Sequence, residues 1–186
     1  LIYIGLATRD LGPALFGQFV LILGASQTVS ALVTFSTWQV VVHYGMPHLI
    51  AGDRSSLGRL IAFCVALDFA AALIGCGIAA IGVALLAQPL GWDAKLAHAA
   101  LLFCFVVLLS FRSTAIGILR LHDRFGMAAA ADAVTPVVRL IGAAIVVTAF
   151  YPSVTGFLLA WSAAELLTAL THWTLALSQA RDALHP

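Results

Sequence analysis

The chain has 186 residues, of which 62% are hydrophobic and only 9% charged, with a net charge of +1 and a mean hydropathy of +1.07. Soluble domains carry roughly 25% charged residues. The deficit excludes an ordinary water-soluble fold and points to an all-α, polytopic membrane protein, while the small net charge gives no signal for a nucleic-acid partner.

The chain opens at Leu1 inside an apolar stretch, with neither a basic leader nor a cleavage site. Residues 1–8 therefore read as the tail of a first spanning helix in a fragment, not as a signal peptide. Arg9-Asp10-Leu11-Gly12-Pro13 ends it, and Pro13 suits the first turn of the next helix because it has no N–H to leave unpaired. No charge then occurs until Asp53. An uncharged apolar run beyond about 18 residues marks a segment solvated by lipid, and the second span is expected over 14–42. Residues 43–57 read as a loop, with Gly45, Pro47 and Gly52 as breakers.

The third span is expected over 59–86, closed by Gln88-Pro89-Leu90-Gly91-Trp92-Asp93, with Trp92 as an interfacial aromatic. A fourth covers 96–119, a fifth 127–150 with Pro136 near its first turns, and a sixth 155–177. The whole of 1–186 reads as a single transmembrane helical lobe. Blocks of about ten alternating residues, the mark of a membrane barrel, are absent from the sequence. Loop cations orient the bundle: Arg54, Arg59, Arg120, Arg124 and Arg181 fall on one side, against Arg9 and Lys95 on the other. The positive-inside rule puts the richer side in the cytoplasm.

Asp68, Arg112, Asp132, Arg139 and Glu165 lie within or near spans. A charge at a helix centre costs about 2.5–3.5 kcal/mol on insertion scales, so such residues face a bundle interior or a wet cavity. Asp68 falls nine positions after Arg59, close to the midplane, and Arg112 eight before Arg120, at similar depth. Arg139 is seven positions after Asp132, which puts both on one helix face. Asp132 reads as an acid favouring a helix N-terminus. Arg112 and Arg139 read as cavity cations able to grip phosphate oxygens, against the alternative of packing ion pairs. Asp68 and Glu165 read either as their counter-ions or as coupling-ion ligands.

Ser26, Ser30, Thr34 and Thr37 follow one face of the second span, either lining a cavity or bonding to neighbouring helices. Gly75 with Ala79, and Gly77 with Ile81, have helix-packing spacing. Cys64, Cys76 and Cys104 sit in apolar runs and read as small packing residues. His43, His48, His122 and His185 lie in loops or at helix ends; His98 opens the fourth span and His172 closes the sixth. The histidines and cysteines lack metal-type spacing, so neither metal nor cofactor is expected. Nucleophile elbows, phosphate loops and paired catalytic carboxylates are likewise missing, so the chain reads as a non-enzyme without catalytic residues.

Arg9, Leu11-Gly12-Pro13, Phe16 and Gly17 resemble the junction between the first two spans of polysaccharide lipid flippases of the multidrug/oligosaccharidyl-lipid/polysaccharide exporter superfamily. Gly117-Ile118-Leu119-Arg120 with Asp123-Arg124-Phe125 looks like that family's cytoplasmic turn after its fourth span. The resemblance implies a two-lobed exporter of ~12–14 helices, of which this chain holds most of the N-terminal six-helix lobe. It implies a multi-pass protein of the bacterial inner membrane that moves undecaprenyl-pyrophosphate-linked oligosaccharide between leaflets for polysaccharide or lipopolysaccharide biosynthesis. Membrane lipids and a polysaccharide polymerase or chain-length regulator are the implied partners. A cation-coupled drug exporter of the same superfamily, or a membrane glycosyltransferase or polymerase subunit, is the alternative. The family's cavity cations do not align by motif, so Arg112 and Arg139 rest on the physical argument alone.

Overall fold

The computed structural model describes residues 2–149 and 153–182, and every regular element among them is a helix. In chain order these are α1 (Ile2–Val33), α2 (Thr37–Ile50), α3 (Arg54–Leu86), α4 (Ala94–Leu109), α5 (Ser113–Leu121), α6 (Phe125–Asp132), α7 (Val134–Ala149) and α8 (Val154–Asp182). They form five stretches long and apolar enough to cross a membrane: Ala7–Ile50, Arg54–Leu86, Ala94–Leu121, Phe125–Thr148 and Val154–Ala180. The 33-residue α3 is about 50 Å long, well beyond a hydrocarbon core of about 30 Å.

The first expected junction narrows to one residue. Helix continues to Leu11, Gly12 breaks it at φ 72, and Pro13 starts the next run. The expected second span is broken instead at Thr34-Phe35-Ser36, and it resumes as α2. The expected loop at 43–57 is therefore mostly helix; only Ala51, Gly52 and Asp53 connect α2 to α3. Gly45 is no breaker. A Cβ there would stand 3.2 Å from both Leu121 and Leu57, so its bare backbone admits close helix approach. Pro47 is carried inside α2, three residues before the helix ends.

Gly52 is the residue that turns the chain. At φ 68 it lets its N–H reach the Leu49 carbonyl (3.2 Å) and the Asp53 N–H the His48 carbonyl (2.9 Å), closing orphan C-terminal groups. The same double bond recurs at Asp123, whose N–H meets Arg120 (3.1 Å) while that of Arg124 meets Leu119 (2.9 Å). Asp53 and Asp93 cap α3 and α4, accepting from the N–H groups of Ser56 (3.0 Å) and Leu96 (2.8 Å).

The fourth expected span is also in two pieces, α4 and α5, parted at Ser110-Phe111-Arg112. The fifth is parted at Ala133, three residues before Pro136, whose ring crowds the carbonyl four residues back. The sixth, α8, extends to Asp182. The expected stop at Tyr151-Pro152, the end of span five at Phe150, and the positions Leu1 and His185 lie outside the described residues.

Three apolar clusters hold the helices. One joins Phe19, Phe103, Phe157 and Trp161 near the Trp92 end. A second joins Val41, Cys64, Leu119 and Leu121 near the Arg54 and Arg120 end. A small one, Ala79, Cys104 and Leu108, lies between them. Gly75 belongs to this middle contact, with Leu108 and Val33 pressed against it, whereas Gly77 faces open space and Ile81 is exposed. Only the first of the two expected small-residue pairs packs a helix.

Candidate functional site

The two mid-span breaks meet. Ser113 Oγ donates to the Phe35 carbonyl (3.3 Å) and accepts from the Trp38 N–H (3.2 Å), stitching one break to the other. Trp173 of α8 donates its indole N–H to the Phe111 carbonyl (3.0 Å). Backbone groups freed in an apolar bundle must find such partners, because lipid offers none.

Asp68 of α3 sits between the starts of α2 and α5. Its carboxylate accepts the Thr37 hydroxyl (2.8 and 3.0 Å), the Thr114 hydroxyl (2.7 Å) and the Thr114 N–H (3.1 Å), and the residue is 4% exposed. Two helix N-termini, each with partial positive charge, thus converge on one acid. Half-helices α2 and α5 then run side by side, with Gly117 against the Trp38 backbone and Gly45 against Leu121. Asp68 caps α5 through the Thr114 N–H and is tied to the start of α2 by the Thr37 hydroxyl, and it reaches no arginine among the described ion pairs.

Glu165 of α8 takes the counter-ion role alone. Its Oε2 accepts from Arg112 (3.0 Å), in the α4–α5 break, and its Oε1 from Arg139 of α7 (2.7 Å). The carboxylate side chain is 11% exposed, against 30% and 20% for the two arginines. Arg139 also lies over the Trp161 ring, 5.5 Å from its centroid, and its buried Nε has no acceptor among the described residues. Within the triad two positive charges share one negative, while Asp68 supplies a second acid on the side away from Arg139.

This triad lines a cavity of about 410 Å³ together with Ser26, Gln27, Ser30 and Thr34. An adjoining cavity of about 280 Å³ shares Arg112, Glu165, Ser30 and Thr34 and extends to Asp68. The hydroxyl stripe of the second span therefore lines the cavity up to Thr34, and its last member, Thr37, is consumed by Asp68. What the site can do chemically is bind an anion: it presents guanidinium donors and hydroxyls, with a hydrophobic shell that strengthens electrostatic contacts.

Asp132 departs from expectation. It ends α6 instead of opening a helix, and no acid lies in the first turn of α7. Across the break at Ala133 it still shares a face with Arg139, since both meet α8 at positions seven apart: Arg139 at Glu165, and Asp132 with its Oδ1 3.4 Å from Nε2 of the fully buried His172. Sequence reasoning missed this pair, and it also missed Thr114 and Ser113. The signal for the last two was present: Thr34-Phe35-Ser36-Thr37 and Ser110-Phe111-Arg112-Ser113 both place a Phe among hydroxyl residues, which compete for backbone hydrogen bonds.

Fold and site together define a helical membrane protein with a partly buried ionic cluster among its helices. The chain is similar to the inner membrane protein YghQ of Escherichia coli (strain K12), at 32% identity over 151 residues, which is 78% of this chain and 41% of that protein. The chain thus spans under half the length of this relative. No family model and no solved structure matches it.

Proposed function

We propose that this chain is one lobe of a lipid-linked oligosaccharide flippase, a multi-pass protein of the bacterial inner membrane. The observation that carries the reading is the convergence of Arg112 and Arg139, from different elements, on one cavity within an apolar bundle. Their guanidiniums would hold the pyrophosphate of an undecaprenyl-linked sugar while Ser26, Gln27 and Ser30 face the sugar side and the lipid tail stays in the bilayer. The unpaired Nε of Arg139 is one further donor for such a ligand.

The basic ends of α3, α5 and α6 face the cytoplasm in this reading, as positive-inside topology requires. A relative more than twice as long as the aligned region leaves room for a second lobe, against which this one would rock in alternating access. A drug exporter coupled to a cation would need a free acid. Asp68 is fully engaged by helix starts and Glu165 by two arginines, which favours the flippase. The polymerase or chain-length regulator of the same pathway is the partner this role calls for.

The test is charge reversal in a polysaccharide-producing strain. Full-length Arg112→Glu and Arg139→Glu variants should abolish surface polysaccharide and accumulate the lipid-linked precursor at normal membrane abundance. Unchanged export with unchanged precursor levels would end the proposal.

A further inference from the structure

We infer that Glu165 is an internal stand-in for the ligand, and that it sets selectivity for a pyrophosphate over a single phosphodiester. The inference rests on the anion-cavity reading above and adds the reason that bulk phospholipid does not fill the site.

Glu165 occupies the point where both guanidiniums converge. It gives each arginine one oxygen: Oε2 to Arg112 at 3.0 Å and Oε1 to Arg139 at 2.7 Å. Neither contact is the two-bond fork that guanidinium and oxyanion form at their strongest. A phosphodiester has two non-bridging oxygens, so on replacing the carboxylate it too offers one oxygen to each arginine. That exchange is one for one: the new contacts only replace those lost, and nothing offsets drawing the carboxylate off its two cations. The single-phosphodiester headgroups that make up most of a bilayer surface gain nothing by entering.

A pyrophosphate differs in kind. Its two phosphorus centres each carry two such oxygens, so each guanidinium can close a full fork. The donors are available, since Arg112 spends one nitrogen on Glu165 and Arg139 has a buried Nε without an acceptor. The cavity beside the triad, about 410 Å³, has the volume for the added group. The displaced carboxylate then has Gln27, Ser26 and Ser30 along the same wall.

The experiment uses purified full-length protein and two synthetic ligands with the same short prenyl tail and the same N-acetylglucosamine. One is joined through a pyrophosphate and the other through a single phosphate, and affinities are read by calorimetry. Wild type should favour the pyrophosphate by about tenfold or more, the scale of one charge-assisted hydrogen bond. Glu165→Gln removes the competitor, so the single phosphate should bind about tenfold tighter and the preference should shrink toward unity. Glu165→Asp keeps the charge but is one methylene too short to bridge both arginines, and its preference should fall between the two. A single-phosphate affinity unchanged in Glu165→Gln, or a wild-type preference retained in Glu165→Asp, overturns the inference and leaves the anion cavity standing. Should Arg112→Gln and Arg139→Gln bind both ligands as wild type does, or wild type bind neither, the cavity reading itself is wrong and this one falls with it.

Discussion

Thr114 gives Asp68 two hydrogen bonds from one residue: its N–H lies 3.1 Å and its hydroxyl 2.7 Å from Oδ2. The backbone bond exists only because α5 begins there, so the acid and the helix break depend on each other. An asparagine can keep most of this, with its oxygen toward Thr114 and its amide donating to Thr37. A leucine leaves the Thr114 N–H buried without an acceptor and leaves the two hydroxyls only their 3.4 Å contact with each other. Asp68→Asn should cost about 1–2 kcal/mol and Asp68→Leu about 3 kcal/mol or more, since each orphaned buried donor costs about 1–3. Denaturant titration in mixed micelles, followed by tryptophan fluorescence, measures both. Equal stability of the two variants would refute the Asp68 cap on α5.

Those same residues show what the sequence could and could not reveal. Span positions were readable because charge is excluded from lipid: Asp53, Asp93 and the Arg120–Arg124 cluster all flank helices as expected. Asp68, Arg112, Arg139 and Glu165 were readable as buried charges from depth alone. The pairing was not, because depth does not give azimuth. Glu165 bridges both arginines while Asp68, equally acidic, bonds to helix starts. Those starts were hidden because neither break contains Gly or Pro, and hydroxyl residues stop a helix only when another element meets the freed groups. In the reverse direction, Gly45 and Pro47 suggested a loop where close packing on Leu121 and Leu57 sustains a helix.

The Arg112–Glu165–Arg139 triad predicts an asymmetry. Glu165 touches both arginines, whereas each arginine touches only Glu165 in the triad. Arg112→Ala leaves the Arg139 pair intact, and Arg112 is 30% exposed, so the loss should stay within about 1 kcal/mol. Glu165→Ala leaves two repelling cations without their acid and should cost about 2–4 kcal/mol. Adding Arg139→Ala to Glu165→Ala should recover part of that loss, because the pair is coupled. The same micelle titration reads all three, and additive losses would contradict the shared carboxylate.

Asp53 gives a pH dependence at the rim of the bundle. Ser56 hydrogen bonds, from side chain and then backbone, hold its carboxyl below the ordinary value of 3.8, and His48 and Arg59 pull the same way. A depressed folded pKa means the cap's contribution is present above the unfolded value and disappears as pH falls through the folded one. Asp53→Asn cannot titrate, though it can still accept from the Ser56 N–H. The wild type's advantage over Asp53→Asn should therefore hold at about pH 6, shrink as pH falls below the ordinary value of 3.8 and vanish once the lower folded value is passed. Unfolding midpoints of both proteins across that range provide the check. A difference that persists at the acid end would assign the effect to shape instead of charge.

Two glycines in neighbouring helices should respond to alanine with opposite sign. At Gly117 a Cβ would stand 2.8 Å from Val41 Cβ, 2.9 Å from Trp38 Cα and 3.1 Å from the Trp38 carbonyl. The obstacle is largely backbone, so α2 must move away from α5. Overpacking of this sort costs about 1–3 kcal/mol, against a helix-propensity gain of at most about 1. At Gly77 the added methyl meets nothing within 4 Å, and only the propensity gain remains. Gly117→Ala should lower the unfolding midpoint and Gly77→Ala should hold or raise it. The displacement in Gly117→Ala also acts on the site, because the Trp38 N–H must stay 3.2 Å from Ser113 for the two breaks to remain joined at Asp68. Its Trp38 emission should shift and its ligand affinity fall, though residue 117 lines neither cavity at the triad. Equal effects of the two alanines on stability would mean that the close contact of α2 with α5 does not set the geometry at Asp68.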